Sequence, residues 1–165
     1  MGTEGNLRRD HRGFTLVELL IVVAIIGILA MIAIPNLIVA IQRAKQKRTM
    51  TDMRNIATAW EARAGDMAGY NAAGVAGISV LISGDNLAIL IQPTYIKSAP
   101  IKDGWGNELE FFTDMDIGDV GKAQKYAIES AGRNGVFEAT PTLGVISNFD
   151  CDIIYSNGLF LSYPP

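Results

Sequence analysis

The longest apolar run in this chain covers residues 14–34, where only Thr15, Glu18 and Gly27 are not plainly apolar. About 20 apolar residues in a helix suffice to cross the hydrocarbon core of a bilayer. The run therefore predicts a transmembrane helix close to the N-terminus.

The helical pattern extends beyond this apolar run. Proline removes one backbone hydrogen bond and usually kinks a helix, but apolar residues resume directly after Pro35. Farther along, apolar residues recur at spacings of three and four, as on one face of an amphipathic helix: Met53, Ile56, Trp60 and Ala64. We expect one helix over residues 15–64, with its first half in lipid and its second half packed against a head domain.

The rest of the chain is richer in Gly, Asp, Asn and Pro, which predicts loops and strands. Residues 65–77 are predicted as a loop and residues 87–91 as a short second helix. Strands are predicted at residues 108–113, 125–129, 152–155 and 159–162, with Asn157-Gly158 as the hairpin turn between the last two. Strands that follow a helix in sequence indicate an α+β fold, in which a small antiparallel β-sheet packs on the long N-terminal helix.

Glu18 is the only charged residue in the apolar run. A carboxylate within a membrane segment is costly and rare, and it usually has a functional role with a cationic partner. The alternative is that Glu18 only reaches to the lipid headgroups. Its place at the start of the run, directly after a basic segment, favours the functional role.

The segment before the apolar run, residues 1–13, is hydrophilic and basic. It carries three arginines against one glutamate and one aspartate, and it contains the only histidine, His11. This composition is typical of a targeting segment. An ordinary secretory signal has a shorter apolar core that ends at a small-residue cleavage site, whereas this apolar run continues well past such a site.

The basic segment and the residues after it, Gly13-Phe14-Thr15-Leu16-Val17-Glu18, resemble the class III signal of type IV pilins and type II secretion pseudopilins. The glycine and proline farther along the helix, Gly27 and Pro35, match that family as well. The resemblance implies that a prepilin peptidase cuts between Gly13 and Phe14 and methylates the new terminal amine.

The same resemblance implies a division of the chain into three parts. Residues 1–13 would be a cleaved leader peptide, and residues 14–41 a transmembrane and assembly helix. Residues 42–165 would form a periplasmic globular domain with a pilin-like fold, which includes the second half of the long helix.

Three segments in the second half of the chain resemble a narrower group within this family. Asp103-Gly104-Trp105-Gly106-Asn107 resembles the Asp-Pro-Trp-Gly-Asn segment of the major pseudopilins of type II secretion, with Gly104 where that family often has proline. Residues 126–135 and 152–158 carry the same resemblance. Trp105 is interpreted as a packing anchor, and the alternative is a platform for binding a sugar.

The resemblance to the major pseudopilins also implies one structural calcium ion. Its ligands would be the carbonyl of Ala131, the side chain of Asn134, and Asp150 or Asp152. Oxygen-rich flexible loops suit this hard cation. Asn134 stands where the family often has aspartate, and an amide in place of a carboxylate should weaken binding.

The function implied is that of a structural subunit of a type II secretion pseudopilus, which polymerises through its N-terminal helix to drive protein export across the outer membrane. The alternative is a pilin of a surface type IV pilus that serves adhesion, motility or DNA uptake. Surface pilins often close a C-terminal loop with a disulfide, which the single Cys151 cannot form. The head segments and the single cysteine favour the pseudopilin.

Composition argues against other classes of function. The net charge is −3, and −4 without residues 1–13, which does not suggest nucleic-acid binding. Without those residues no histidine remains to activate a serine or Cys151, so an enzyme is not expected and Cys151 is interpreted as a small apolar filler. The acidic residues 114–119 lack the EF-hand pattern and are interpreted as a solvated turn.

Charge alone leaves the orientation of the anchor open. The arginines of the leader oppose a second basic cluster just past the anchor: Arg43, Lys45, Lys47 and Arg48. Because the family's peptidase acts on the cytoplasmic face, the resemblance implies a single-pass protein of the bacterial inner membrane with its C-terminal domain in the periplasm. The implied partners are the prepilin peptidase, the membrane, further copies of the chain in a helical filament, other pseudopilins and the inner-membrane secretion platform.

Cleavage before Phe14 would create a positively charged amine close to Glu18. A carboxylate one turn along the same helix is poorly placed to reach this amine. In a staggered bundle, however, Glu18 of one copy would meet the amine of the next. Such a pair attracts strongly in a medium of low dielectric constant, although desolvation offsets part of the gain.

Overall fold

The computed structural model describes residues 13–66, 80–113 and 125–165. Its helices are α1 (Leu16–Asp66) and α2 (Gly84–Ile91), with a 3-10 turn at Gly132–Asn134. Its strands are β1 (Val80–Ile82), β2 (Glu110–Thr113), β3 (Tyr126–Ser130), β4 (Gly144–Val145), β5 (Ile153–Ser156) and β6 (Leu159–Tyr163). The predictions for residues 1–12, most of the 65–77 loop and the acidic turn at 114–119 lie outside the described residues.

The predicted long helix is confirmed, since α1 begins one residue after the predicted start and ends two residues beyond the predicted end. The chain divides into two compact units, Met1–Ala40 and Ile41–Pro165. Within the first unit, the large apolar side chains of α1 are exposed on all its sides. A helix that is apolar all round and is not covered by its own chain needs lipid or neighbouring helices around it.

The second unit has its core where the remainder of α1 meets the sheet. Met53, Ile56 and Trp60 are fully buried, as the spacing predicted, whereas Arg54 on another face of the helix is exposed. The Trp60 ring packs edge-on against Phe111 of β2, with centroids 6.3 Å apart. This aromatic contact joins the helix to β2 of the sheet.

The sheet has six strands in the order β1-β2-β3-β5-β6-β4. All its pairs are antiparallel as predicted, except that β4 runs parallel to β6. The four predicted strands are found with shifts of one or two residues at their ends. The edge strands β1 and β4 were not predicted, because two or three residues carry too little alternation to be recognised.

Two local signals in the sequence set the ends of elements. The hairpin between β5 and β6 turns at Asn157 and Gly158, whose φ angles of 48° and 85° suit the predicted two-residue turn. Helix α2 begins three residues before the predicted start. Ser83 caps it there, since its hydroxyl accepts a hydrogen bond from the backbone N–H of Asn86 at 3.3 Å.

The turn at residues 103–107 holds the head against α1. Asp103 is buried, and one of its carboxylate oxygens accepts hydrogen bonds from the backbone N–H groups of Trp105 and Asn107, both at 2.9 Å. The indole N–H of Trp105 donates to the side chain of Gln42 at 2.6 Å, and its ring packs against the core. These contacts are those of a packing anchor, as the sequence indicated.

Glycine rather than proline at position 104 has a physical reason. The backbone N–H of Gly104 donates to the hydroxyl of Thr49 at 2.9 Å, and proline has no such donor. A Cβ atom at this position would lie 2.3 Å from the carbonyl oxygen of Lys45. The turn therefore approaches the backbone of α1 as closely as only glycine permits.

We predict that Gly104→Ala lowers the free energy of unfolding by about 1–3 kcal/mol, because the helix and the turn must separate to admit the methyl group. The measurement is denaturant unfolding of the full chain in detergent. Gly65→Ala is the matched control, since a Cβ there meets nothing within 4 Å and alanine favours a helix. Equal stability of Gly104→Ala and the parent chain would contradict the close approach.

Candidate functional site

Glu18 closes a reciprocal cap at the start of α1. Its Oε2 atom accepts hydrogen bonds from the backbone N–H and the hydroxyl of Thr15, at 3.1 and 3.0 Å. In return the backbone N–H of Glu18 donates to the Thr15 hydroxyl at 3.2 Å. This is a capping box, in which two backbone donors that have no partner within the helix are satisfied by side chains.

The capping box leaves one side of the Glu18 carboxylate available. Both bonds from Thr15 go to Oε2, and Oε1 accepts none from the described part of the chain. The role of Thr15 was missed in the sequence, although a threonine followed three residues later by glutamate is the signature of this motif. Because Thr15 holds Oε2, it also sets the position of Oε1, the oxygen that stays available.

The predicted cleavage site lies outside the helix. Gly13, Phe14 and Thr15 precede the first helical residue, and Phe14 is 84% exposed. A Cβ atom added at Gly13 would meet no atom of this chain within 4 Å. The bond between Gly13 and Phe14 is therefore accessible, and glycine is not required there by the fold.

Among the described residues, α1 is the one helix long and apolar enough to cross a membrane. Its most apolar window of 18 residues has a mean hydropathy of 3.0 and none of it is buried within the chain. Polar groups in this part are satisfied locally, since the side-chain amide of Asn36 donates to the carbonyl of Ile32 at 3.2 Å. The helix offers a continuous apolar surface with Glu18 near one end.

Two of the residues predicted to bind calcium, Asn134 and Asp150, already have other hydrogen-bond partners. Asn134 accepts a hydrogen bond from the backbone N–H of Val136 at 2.9 Å. Both oxygens of Asp150 accept from the guanidinium of Arg133, at 2.7 and 2.6 Å. Ala131 is buried next to the 3-10 turn.

Asp152, the fourth predicted ligand, is 1% exposed. Its Oδ2 atom accepts from the backbone N–H of Glu138 at 2.7 Å, and Oδ1 has no hydrogen-bond partner in the described residues. No group of three or more His, Cys, Asp or Glu side chains in the described ranges is placed to hold a metal ion. Calcium takes six to eight oxygen ligands, and as arranged Arg133 occupies both oxygens of Asp150, so this set does not fit the ion; calcium binding remains a prediction from the resemblance.

Asp152 belongs to an acidic cluster with Glu110, Glu129 and Glu138. Glu110 and Glu129 are directly paired across β2 and β3 and share one face of the sheet. Burial, together with the charge of Asp152, raises the pKa of Glu129 to about 7. Burial also raises the pKa of Asp152 and of Glu110. At neutral pH Glu129 is therefore still partly protonated, whereas an isolated glutamate would be ionised.

Cys151 lies beside this acidic cluster. Burial and the neighbouring acids raise the pKa of its thiol, which keeps it protonated and unreactive. It packs against the core as a partly buried side chain. These surroundings suit the filler role that the sequence indicated.

We predict that Glu129→Gln flattens the pH dependence of stability. Because the folded state holds the pKa of Glu129 above its ordinary 4.5, this group favours folding at low pH and its contribution is lost as the pH rises from 4.5 to about 7. The melting temperature of the parent chain should fall over this range more than that of the variant. Glu108→Gln, at an exposed position, is the control, and parallel curves for Glu129→Gln and the parent would contradict the raised pKa of Glu129.

Comparison with known proteins supports the N-terminal motif. Residues 8–34 match the family model of the prokaryotic N-terminal methylation motif. The match covers the segment that contains Gly13, Phe14 and Glu18. The predicted resemblance to the prepilin signal is confirmed.

Longer similarities extend into the head. Type II secretion system core protein G of Vibrio cholerae is 30% identical over 138 residues, 77% of this chain and 86% of that protein. Core protein G of Escherichia coli is 30% identical over 129 residues, 76% of this chain and 83% of that protein. No solved structure matches the chain significantly.

Sequence identity to a type IV pilin is higher but covers only a short segment. The type IV major pilin protein PilA of Myxococcus xanthus is 59% identical over 49 residues, which is 30% of this chain and 22% of that protein. A match of that length cannot include most of the head, whereas the matches to core protein G do. The chain therefore belongs to the type II secretion system core protein G family, the major pseudopilins.

Proposed function

We propose that this chain is a structural, non-enzymatic subunit of a type II secretion pseudopilus and that it polymerises through α1 to drive protein export across the outer membrane. The observation that carries the proposal is the uncovered apolar half of α1 with the capped Glu18 near its end. A single chain does not cover this apolar surface. It fits a helix that is stored in lipid and then packs against copies of itself.

When copies of the chain pack together, contacts of α1 with lipid would be replaced by contacts between helices. In a bilayer such association depends on close packing and on polar groups, because lipid tails are as apolar as the side chains. Apolar surface alone therefore does not fix the register of one copy against the next. A charged pair at a defined position would fix it.

Glu18 is suited to provide that pair. Its Oε2 atom is held by Thr15, and Oε1 is free to accept from a donor on another copy. Cleavage after Gly13 would supply the donor, the positively charged amine of Phe14. Thr15 is then a positioning residue, since it orients the carboxylate that meets the amine.

The proposed location follows from the processing reaction. A peptidase acting on the cytoplasmic face requires the leader on that side of the inner membrane, so residues 42–165 would lie in the periplasm. The prepilin peptidase, other pseudopilins and the inner-membrane secretion platform are the proposed partners. A surface pilus is the less favoured alternative, because the match to PilA covers only 30% of the chain.

We predict that Glu18→Gln lowers filament assembly by about tenfold or more, since losing 1.4 kcal/mol of pairing energy is enough for that factor. Glutamine can still accept from Thr15, so this variant removes the charge and keeps the cap. Assembly is measured by shearing filaments from cells and quantifying them against the membrane fraction.

Two further variants complete that experiment. Glu18→Ala should insert and be cleaved normally but assemble poorly, because it lacks the charge and the half of the cap that the carboxylate supplies. Thr15→Val keeps the charge and the backbone N–H that donates to Glu18 but loses the two hydrogen bonds of the hydroxyl, so it should assemble better than Glu18→Gln. Assembly of Glu18→Gln at the level of the parent chain would refute the charged pair.

We predict that Gly13→Glu blocks maturation and leaves the chain at its uncut size. Because a side chain at Gly13 has open space in this chain, such a block would arise in the peptidase and not from misfolding. Mass spectrometry of the N-terminal peptide after coexpression with the peptidase measures cleavage. Gly27→Ala, also in open space, is the control that should be cut, and an uncut parent chain would argue against processing altogether.

A further inference from the structure

The segment after β3 folds back on the segment before β5. The backbone N–H of Arg133 donates to the carbonyl of Phe149 at 2.8 Å. Gly132 has a φ of 64°, and a Cβ atom there would lie 2.7 Å from the carbonyl oxygen of Cys151. Only glycine fits both the conformation and the space, so the two segments are held at backbone contact.

The side chain of Arg133 closes this contact. Its Nε and Nη2 atoms donate to the two oxygens of Asp150, at 2.7 and 2.6 Å. A planar guanidinium matches a carboxylate in this two-bond arrangement, which gives a stronger and more specific contact than a single ion pair. Arg133 therefore fixes Asp150 through both of its oxygens.

Other hydrogen bonds secure the ends of the same loop. The side-chain amide of Asn107 donates to the carbonyl of Gly132 at 2.7 Å. Asn134 accepts from Val136, and Asp152 accepts from Glu138. Both oxygens of Asp150, the amide oxygen of Asn134 and Oδ2 of Asp152 thus have nitrogen donors of this chain as partners, whereas Oδ1 of Asp152 has none among the described residues.

We infer that the guanidinium of Arg133 takes the place of a bound cation in this chain, and that the head is held closed by the Arg133–Asp150 pair without metal. A divalent cation at Asp150 would have to displace two hydrogen bonds and would then face the positive charge of Arg133. Asn134, an amide, offers no carboxylate to compensate. The inference concerns the stability of the head and does not depend on the proposed function.

The first test is thermal unfolding of the purified full chain in detergent after treatment with chelator. The melting temperature should be the same in EDTA and in millimolar calcium chloride, and titration calorimetry with calcium chloride should show no saturable heat. A rise in melting temperature with calcium, or saturable binding, would overturn the inference.

The second test exchanges the two charges. Arg133→Asp and Asp150→Arg should each lower the melting temperature, because each places like charges together. The double variant should recover most of the loss, since the pair is restored in reverse. Arg48→Ala is the control, because the exposed Arg48 makes a single contact with Asp52 one turn along the same helix, at 3.4 Å, and such pairs contribute little.

The double variant also distinguishes loss of the ion pair from a folding defect in a single variant. If both single variants are destabilised and the double variant recovers, the pair itself holds the loop. If the double variant is as unstable as the single ones, or if neither single variant differs from the parent chain, Arg133 does not have this role.

Discussion

The structure depends on helix α1, whose first half exposes an apolar surface that its own chain does not cover. The apolar side chains of α1 in the unit Met1–Ala40 are exposed on every side, and the one carboxylate among them is tied to Thr15 by one oxygen only. Water is an unfavourable solvent for that surface and lipid is an unfavourable solvent for that charge. In the proposed bundle of cleaved copies, each Glu18 would meet an amine and each apolar face would meet another, which would satisfy both.

The second unit is built around the same helix by different means. Trp60 and its apolar neighbours give α1 a buried face, and the turn that begins at Asp103 binds to it through Gly104 and Trp105. The hydroxyl of Ser130 donates to Asp103 at 2.8 Å, which ties this turn to the end of β3. A chain of buried polar contacts therefore leads from the helix through the turn to the sheet and to the loop that Arg133 closes.

Features set by local sequence were predictable, and features set by distant pairing were not. The buried face of Met53, Ile56 and Trp60 follows from helical spacing, and the turn at Asn157-Gly158 follows from the positive φ angles that these residues accept. The strands β1 and β4 form by pairing with strands farther along the chain. The pair of Arg133 with Asp150 closes a loop across 17 residues, which no short motif encodes, whereas the cap by Thr15 had a recognisable motif.

The most direct test of the account is a zero-length carbodiimide crosslink in assembled filaments made from a mixture of isotopically light and heavy copies. If Glu18 of one copy meets the amine of the next, mass spectrometry should recover the N-terminal peptide that begins at Phe14 joined to the Glu18 peptide, with light and heavy halves combined. Filaments that yield no such mixed product, while other carboxylates and amines are crosslinked efficiently, would contradict the pairing on which the proposed assembly depends.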